Sequence, residues 1–218
     1  MIRRIVGIHF SPIGGTAKMT QMLTEQLAEI LSQESPEEIT TESYELLRMG
    51  PDPVELDEDT VAVIGMPVYV GKVPLPAVSI LKKFIPNGAV AVDAVSFGAR
   101  TYGNALYELQ HYTEEMGFKV IGAGAFSVSY RKSGIGNRVT EHTGDDESLR
   151  KFGAAAAAKI SRLAGSEIEG LRIKPAPLEV AGRLPIHRIS KLSPRAAAAA
   201  QDVLERICVR RKASEWYL

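Results

Sequence analysis

The alternation of short, β-branched apolar runs with longer amphipathic stretches is the feature that most constrains this chain. Residues 5–10 form an apolar run of strand length, and residues 16–31 place their apolar side chains on one face of a helix. The same alternation predicts further strands at 44–47, 61–65, 89–96 and 119–126, and further helices at 76–84, 104–116 and 145–163. Because right-handed crossovers place helices on both faces of a parallel sheet, this pattern predicts an α/β fold with a doubly wound, five-stranded parallel sheet.

Composition indicates one compact domain and narrows the choice of partners. The 218 residues are 45% hydrophobic and contain 26 basic and 26 acidic side chains, so no overall field favours nucleic acid or a membrane surface as a partner. We predict that residues 1–165 are this domain, and that residues 166–218 are a Pro-rich connector and a C-terminal helix packed on it. Cys208 is the single cysteine, and the N-terminal residues lack a signal-like apolar run, which favours a reducing cytoplasm. The four histidines, His9 among them, do not have the spacing of metal ligands, so we predict no metal site.

The loop after the first predicted strand is suited to a phosphate group. It contains Gly14 and Gly15, which let the backbone curl closely, and the hydroxyl residues Ser11 and Thr16 flank it just before a helix. Backbone N–H groups at a helix N-terminus bind phosphate without any lysine. The alternative is a tight turn with a helix cap. Neither a dinucleotide fingerprint nor a Walker loop has its required spacing here.

The loops after the third and fourth predicted strands share an edge with the phosphate loop, and both combine glycine with aromatic residues. Such loops could enclose a flat ring, although packing is the commoner role of surface aromatics. The candidate residues in these two loops are Pro67, Val68, Tyr69, Val70 and Gly71 in the first, and Ser96, Phe97, Gly98, Arg100, Tyr102 and Asn104 in the second.

The first loop, Ser11-Pro12-Ile13-Gly14-Gly15-Thr16, resembles the FMN-phosphate loop of flavodoxins, whose usual form is [ST]-x-T-G-x-T. Ile13 departs from that form, because the family has a hydroxyl residue there. Three stretches, 10–18, 67–74 and 97–106, are more closely similar to the flavodoxin domain of EFR1-type ferrodoxins, although the cysteine-rich cluster motifs of that family are missing.

The resemblance implies non-covalent FMN binding and electron exchange with a protein partner such as a ferredoxin. It implies that the first loop, including Ile13, surrounds the phosphate, that Tyr69 or Tyr102 stacks on the isoalloxazine, and that Arg100 tunes its potential. Two alternatives stay open at this point: an NAD(P)H-dependent FMN or quinone reductase, and a flavin-free binding module that kept the fold. The sequence also leaves open whether the protein is a monomer or a homodimer.

Overall fold

The computed structural model describes residues 2–98, 101–132, 139–163, 170–174 and 214–218. Its strands are β1 (Arg4–His9), β2 (Thr40–Glu45), β3 (Val54–Glu55), β4 (Thr60–Pro67), β5 (Phe84–Ile85), β6 (Val90–Phe97), β7 (Lys119–Lys132), β8 (Val139–Gly144) and β9 (Glu215–Tyr217). Its α-helices are α1 (Gly15–Glu34), α2 (Leu75–Leu81), α3 (Ala105–Glu115) and α4 (Asp146–Leu163). A single 3-10 turn, Leu46–Arg48, follows β2.

Five parallel strands form the centre of the sheet in the order β2-β1-β4-β6-β7. Numbered along the chain as the five predicted strands, this order is 2-1-3-4-5, and the order reverses between β1 and β4. His9 at the end of β1 lies opposite Gly65 of β4, and Pro67 of β4 lies opposite Ser96 of β6. The carboxyl ends of β1, β4 and β6 therefore share one edge, where ligands of open α/β sheets bind.

The sheet is covered on both faces by apolar helices, as predicted. On one face α1 and α4 bury Leu23 and Phe152 against the sheet, and on the other α2 and α3 bury Leu81 and Leu109. The predicted doubly wound α/β fold is confirmed.

Helix α1 lies unusually close to the sheet because two strand positions opposite it are glycines. A Cβ atom built on Gly65 of β4 would lie 1.9 Å from Thr20 Oγ1, and one on Gly7 of β1 would lie 2.9 Å from Thr24 Oγ1. Both threonine hydroxyls donate to carbonyls four residues earlier in α1. This contact fixes the N-terminus of α1 beside the ends of β1 and β4.

The structure extends the predicted sheet and corrects several boundaries. Strand β7 continues to Lys132 and pairs antiparallel with β8, and β9 also pairs antiparallel with β7, so the described part of the sheet has seven strands. The predicted strand 44–47 is instead residues 40–45 followed by the 3-10 turn, and the predicted helix 76–84 ends at Leu81. Apolar periodicity in such short segments did not distinguish strand from helix. The predicted C-terminal helix and Cys208 lie outside the described residues.

Candidate functional site

The loop between β1 and α1 bends at Gly14, immediately before the helix begins. Gly14 has a left-handed conformation with φ of 91°, and α1 begins at Gly15. The Ser11 hydroxyl accepts a hydrogen bond from the backbone N–H of Ala17 at 2.9 Å, which satisfies one N-terminal donor of the helix. The first turn of α1 contains no acidic residue, so the positive end of its dipole is not neutralised there.

Three backbone amides of this loop have no hydrogen-bond acceptor among the described residues. Within the described ranges, the N–H groups of Ile13, Gly15 and Thr16 donate no hydrogen bond to another residue. Unsatisfied N–H groups at a helix N-terminus attract a phosphate or another anion. Ile13 itself is 50% exposed, so its side chain turns to solvent and supplies no hydroxyl to such a ligand.

One hydrogen bond joins the hydroxyls of Thr16 and Ser96, so one of their two O–H donors is used within the protein. Their oxygen atoms lie 2.7 Å apart, and both residues are buried. This pair ties the N-terminus of α1 to the end of β6. The backbone amides of the loop, more than these two hydroxyls, are therefore the donors left for a phosphate.

The loop after β4 forms a tight two-residue turn that presents Tyr69. The N–H groups of Tyr69 and Lys72 each donate to the carbonyl of the other, at 2.9 and 3.1 Å. Val70 and Gly71 between them have φ of 54° and 74°, the values of a type I′ turn. A β-branched residue in this region is strained, and such strain concentrates at functional loops. Tyr69 is 46% exposed, and its partial burial raises the pKa of its phenol.

The loop after β6 is anchored from below by Tyr102. This tyrosine is 4% exposed, its ring packs 5.6 Å from that of Phe97, and its hydroxyl donates to the Glu215 carboxylate. Tyr102 therefore lies under the loop, whereas Tyr69 lies on the surface of its own loop. Phe97 and Pro67, at the ends of their strands, are buried in the floor of the edge.

Close backbone contact joins the loops after β4 and β6. The N–H of Asn104 donates to the carbonyl of Gly71 at 2.9 Å, and a Cβ atom on Gly103 would lie 2.7 Å from Gly71 Cα. Glu108, in the first turn of α3, reinforces this junction. Its carboxylate pairs with Lys72 Nζ at 3.0 Å and accepts the backbone N–H of Val73 at 3.2 Å.

Hydrogen bonds thus link all three predicted loops at one edge: Thr16 to Ser96, the N–H of Val68 to the Ser96 carbonyl, and Asn104 to Gly71. Gly98 is exposed beside them, and Arg100 lies outside the described residues. Sequence reasoning missed Glu108 and Glu215. An acid in the first turn of α3 indicates only a favourable helix dipole, and nothing in the sequence links Glu215 to a loop more than 100 positions earlier.

His9 is a buried side chain near this edge. It lies at the end of β1 opposite Glu45 and Gly65, and its Nδ1 has no hydrogen-bond partner among the described residues. Burial lowers its pKa, against a smaller opposing effect of the Glu45 charge. In the described part of the chain no group of histidine, cysteine or acidic side chains could hold a metal ion, and no helix is long and apolar enough to cross a membrane.

Comparison with known proteins bears on the fold. No protein-family model matches the chain, and no curated protein matches it. Among solved structures, an oxidoreductase from Corynebacterium diphtheriae aligns with a TM-score of 0.51 and 13% identity, over 77% of this chain and 99% of that one. A flavodoxin from the domain Archaea aligns with a TM-score of 0.46 and 16% identity, over 73% and 99% of the two chains. Rubredoxin oxygen:oxidoreductase from Desulfovibrio gigas aligns with a TM-score of 0.48 and 16% identity over 75% of this chain. The alignment covers only 37% of that protein.

The closer likeness to EFR1-type ferrodoxins is not confirmed by these matches. The strand order 2-1-3-4-5, with helices on both faces, is that of flavodoxins. Together with the alignment to the corynebacterial protein, it assigns this chain to the flavodoxin-like α/β fold.

Proposed function

We propose that this chain binds one FMN non-covalently at the shared edge of β1, β4 and β6, and passes electrons to or from a protein partner such as a ferredoxin. The observation that carries the proposal is the group of three available amides, of Ile13, Gly15 and Thr16, at the positive end of α1. They lie at the point where the strand order reverses, which is where this class of sheet binds its ligand.

The phosphate of FMN fits this loop. The amides of Ile13, Gly15 and Thr16 supply donors, and the α1 dipole favours the negative charge. Gly14 allows the left-handed bend, with φ of 91°, from which the helix starts. Ser11 keeps its own hydroxyl on Ala17 and so preserves the shape of the loop.

The isoalloxazine is proposed to lie against the loops after β4 and β6, beside the point where Gly71 contacts Gly103 and Asn104. Tyr69 is the tyrosine available for stacking, because Tyr102 is buried under its loop. The hydrogen bond from Asn104 to Gly71 keeps the two loops in a fixed arrangement in the free protein. Little conformational entropy of the loops is therefore lost when a ring binds. The bound flavin supplies the one- or two-electron chemistry, and the protein positions it and adjusts the stability of its reduced forms.

Arg100 is proposed to adjust that stability. A guanidinium close to the ring would favour an anionic reduced flavin and raise its potential. The Arg100→Ala variant is then expected to have a lower midpoint potential in a spectroelectrochemical titration. Unchanged midpoints in that variant would remove the role.

The first experiment is a comparison of FMN with riboflavin. Purified protein is titrated with each compound, and quenching of the flavin fluorescence gives the two dissociation constants. We expect FMN to bind at least about 100-fold more tightly, because charge-assisted bonds from three amides act on its phosphate alone. The Tyr69→Ala variant should lower the affinity for both compounds by about 10-fold, because both contain the ring on which Tyr69 would stack. Equal affinities for FMN and riboflavin would contradict the phosphate assignment.

Two further outcomes would replace the electron-carrier proposal. If the loaded protein steadily oxidises NADH or NADPH and reduces a quinone, the chain is a reductase. If neither flavin is retained after reconstitution, it is a binding module that kept the fold, and the mutual pairing of the Thr16 and Ser96 hydroxyls would then be a purely structural contact.

A further inference from the structure

Residues 214–218 are attached to the sheet beside the candidate site. Within this segment β9 pairs antiparallel with β7, matching Glu215 to Ala125 and Tyr217 to Ala123. The backbone N–H of Ser127 donates to the Ser214 hydroxyl at 3.3 Å. The Trp216 ring lies 6.1 Å from that of Phe152 on α4. The segment is thus held by backbone pairing and by side-chain contacts together.

Glu215 reaches from this segment to the loop after β6. Its Oε2 accepts the hydroxyl of Tyr102, a residue 113 positions earlier in the chain, and also accepts the hydroxyl of the exposed Tyr217 at 3.1 Å. A hydrogen bond to an ionised acceptor is stronger than one between neutral groups. Two tyrosines therefore share one carboxylate, one in the candidate site loop and one at the surface.

Tyr102 controls the geometry of the residues that follow it. The carbonyl of Tyr102 accepts a hydrogen bond from the N–H of Ala105, the first residue of α3, at 3.1 Å. The N–H of Gly103 donates to Thr101 Oγ1, also at 3.1 Å. Asn104 then donates to the carbonyl of Gly71 in the loop after β4. A displacement of Tyr102 would consequently move both loops at their point of contact.

We propose that Glu215 is a positioning residue of the candidate flavin site, holding Tyr102 and through it the two loops that enclose the ring. The first part of this inference, the attachment of the loop, concerns the free protein. The second part, its effect on ligand affinity, rests on the proposed FMN function. In this proposal β9 supports the candidate site through Glu215, and none of its side chains contacts the ring.

The test uses three substitutions in the full chain. Tyr102→Phe removes the hydroxyl that donates to Glu215, and Glu215→Ala removes the acceptor. Tyr217→Phe is the matched control, because it removes the other hydroxyl on the same carboxylate. Amide hydrogen exchange at Gly103 and Asn104 is measured on the flavin-free proteins, and FMN affinity is then measured by fluorescence quenching.

We expect exchange at both amides to be about 10-fold faster in Tyr102→Phe and in Glu215→Ala, with FMN binding weakened by a similar factor. Tyr217→Phe should behave as the wild type. Glu215→Gln, whose amide oxygen still accepts a hydrogen bond, should recover most of the protection lost in Glu215→Ala.

Unchanged exchange in both Tyr102→Phe and Glu215→Ala would overturn the inference. Faster exchange with unaltered FMN affinity would overturn its second part. If the wild type binds no FMN but the exchange rates respond as expected, the proposed function fails while the positioning of the loop by Glu215 is supported.

Discussion

Replacing Gly103 by alanine should disrupt the junction between the loops after β4 and β6. Gly103 has a left-handed φ of 55°, and its added Cβ would lie 2.7 Å from both the Cα and the carbonyl oxygen of Gly71. Both neighbours are backbone atoms, so no side chain can rotate away. The loops would have to separate, and the hydrogen bond from Asn104 to the Gly71 carbonyl would lengthen.

The magnitude follows from two contributions. An alanine in the left-handed region costs about 1–2 kcal/mol. Forcing an extra carbon into a close-packed contact costs about 1–3 kcal/mol more. The Gly103→Ala variant should therefore lose about 2–5 kcal/mol of the roughly 5–15 kcal/mol that is typical of a domain, so we expect a folded population that can be measured at 25 °C.

Gly71→Ala provides the matched control. Gly71 also has a positive φ, of 74°, but its added Cβ would meet Gly103 Cα at an ordinary 3.4 Å. It should lose only the conformational cost of about 1–2 kcal/mol. Urea unfolding of both variants, followed by fluorescence, measures the two free energies. Equal losses in the two variants would refute the role of the steric contact, and undiminished FMN affinity in Gly103→Ala would refute its importance for the site.

Three further predictions concern strain, a buried acid and an ion pair. Val70→Asn should raise the free energy of unfolding by about 1 kcal/mol in a urea titration, because asparagine tolerates the left-handed φ of 54° better than valine does. Burial raises the pKa of Asp93 to about 8, with Thr113 opposing the shift by its hydrogen bond. The folded state therefore keeps a proton that the unfolded chain releases above about pH 4, so stability should fall by about 1.4 kcal/mol per pH unit between about pH 5 and 7 and level off above pH 8, and Asp93→Asn should abolish this slope. Glu108→Ala should lower the free energy of unfolding by about 1–2 kcal/mol, because the Val73 N–H and Lys72 both lose their acceptor.

Each of these has a result that would count against it. A Val70→Asn protein less stable than the wild type would mean that valine packing outweighs the backbone strain. An unaltered pH slope in Asp93→Asn would assign the dependence to other groups. Lys72→Ala removes only the half-exposed ion pair and should cost under about 1 kcal/mol, so a loss equal to that of Glu108→Ala would contradict the contribution of the Val73 amide.

The sequence alone determined the layer architecture, and it predicted the sheet edge at which the candidate site lies. Apolar periodicity separates strands from amphipathic helices wherever the segments are long, as in α1 and β6, and right-handed crossovers then leave few arrangements. It was less informative for short or late elements. The 3-10 turn after β2 and the strand β9 bury too few residues to generate a clear period.

Only the tertiary structure decided which residues are exposed at that edge and which partners the buried ones bond. Tyr69 and Tyr102 both lie shortly before a glycine in a predicted ring-binding loop, and the sequence does not distinguish them. In the structure Tyr69 is half-exposed beside a type I′ turn, whereas Tyr102 is buried and donates to Glu215. The pairing of the Thr16 and Ser96 hydroxyls likewise joins residues 80 positions apart. Local patterns report the faces of individual elements, whereas contacts between distant loops depend on how the whole sheet brings strand ends together, and that information exists only in the folded chain.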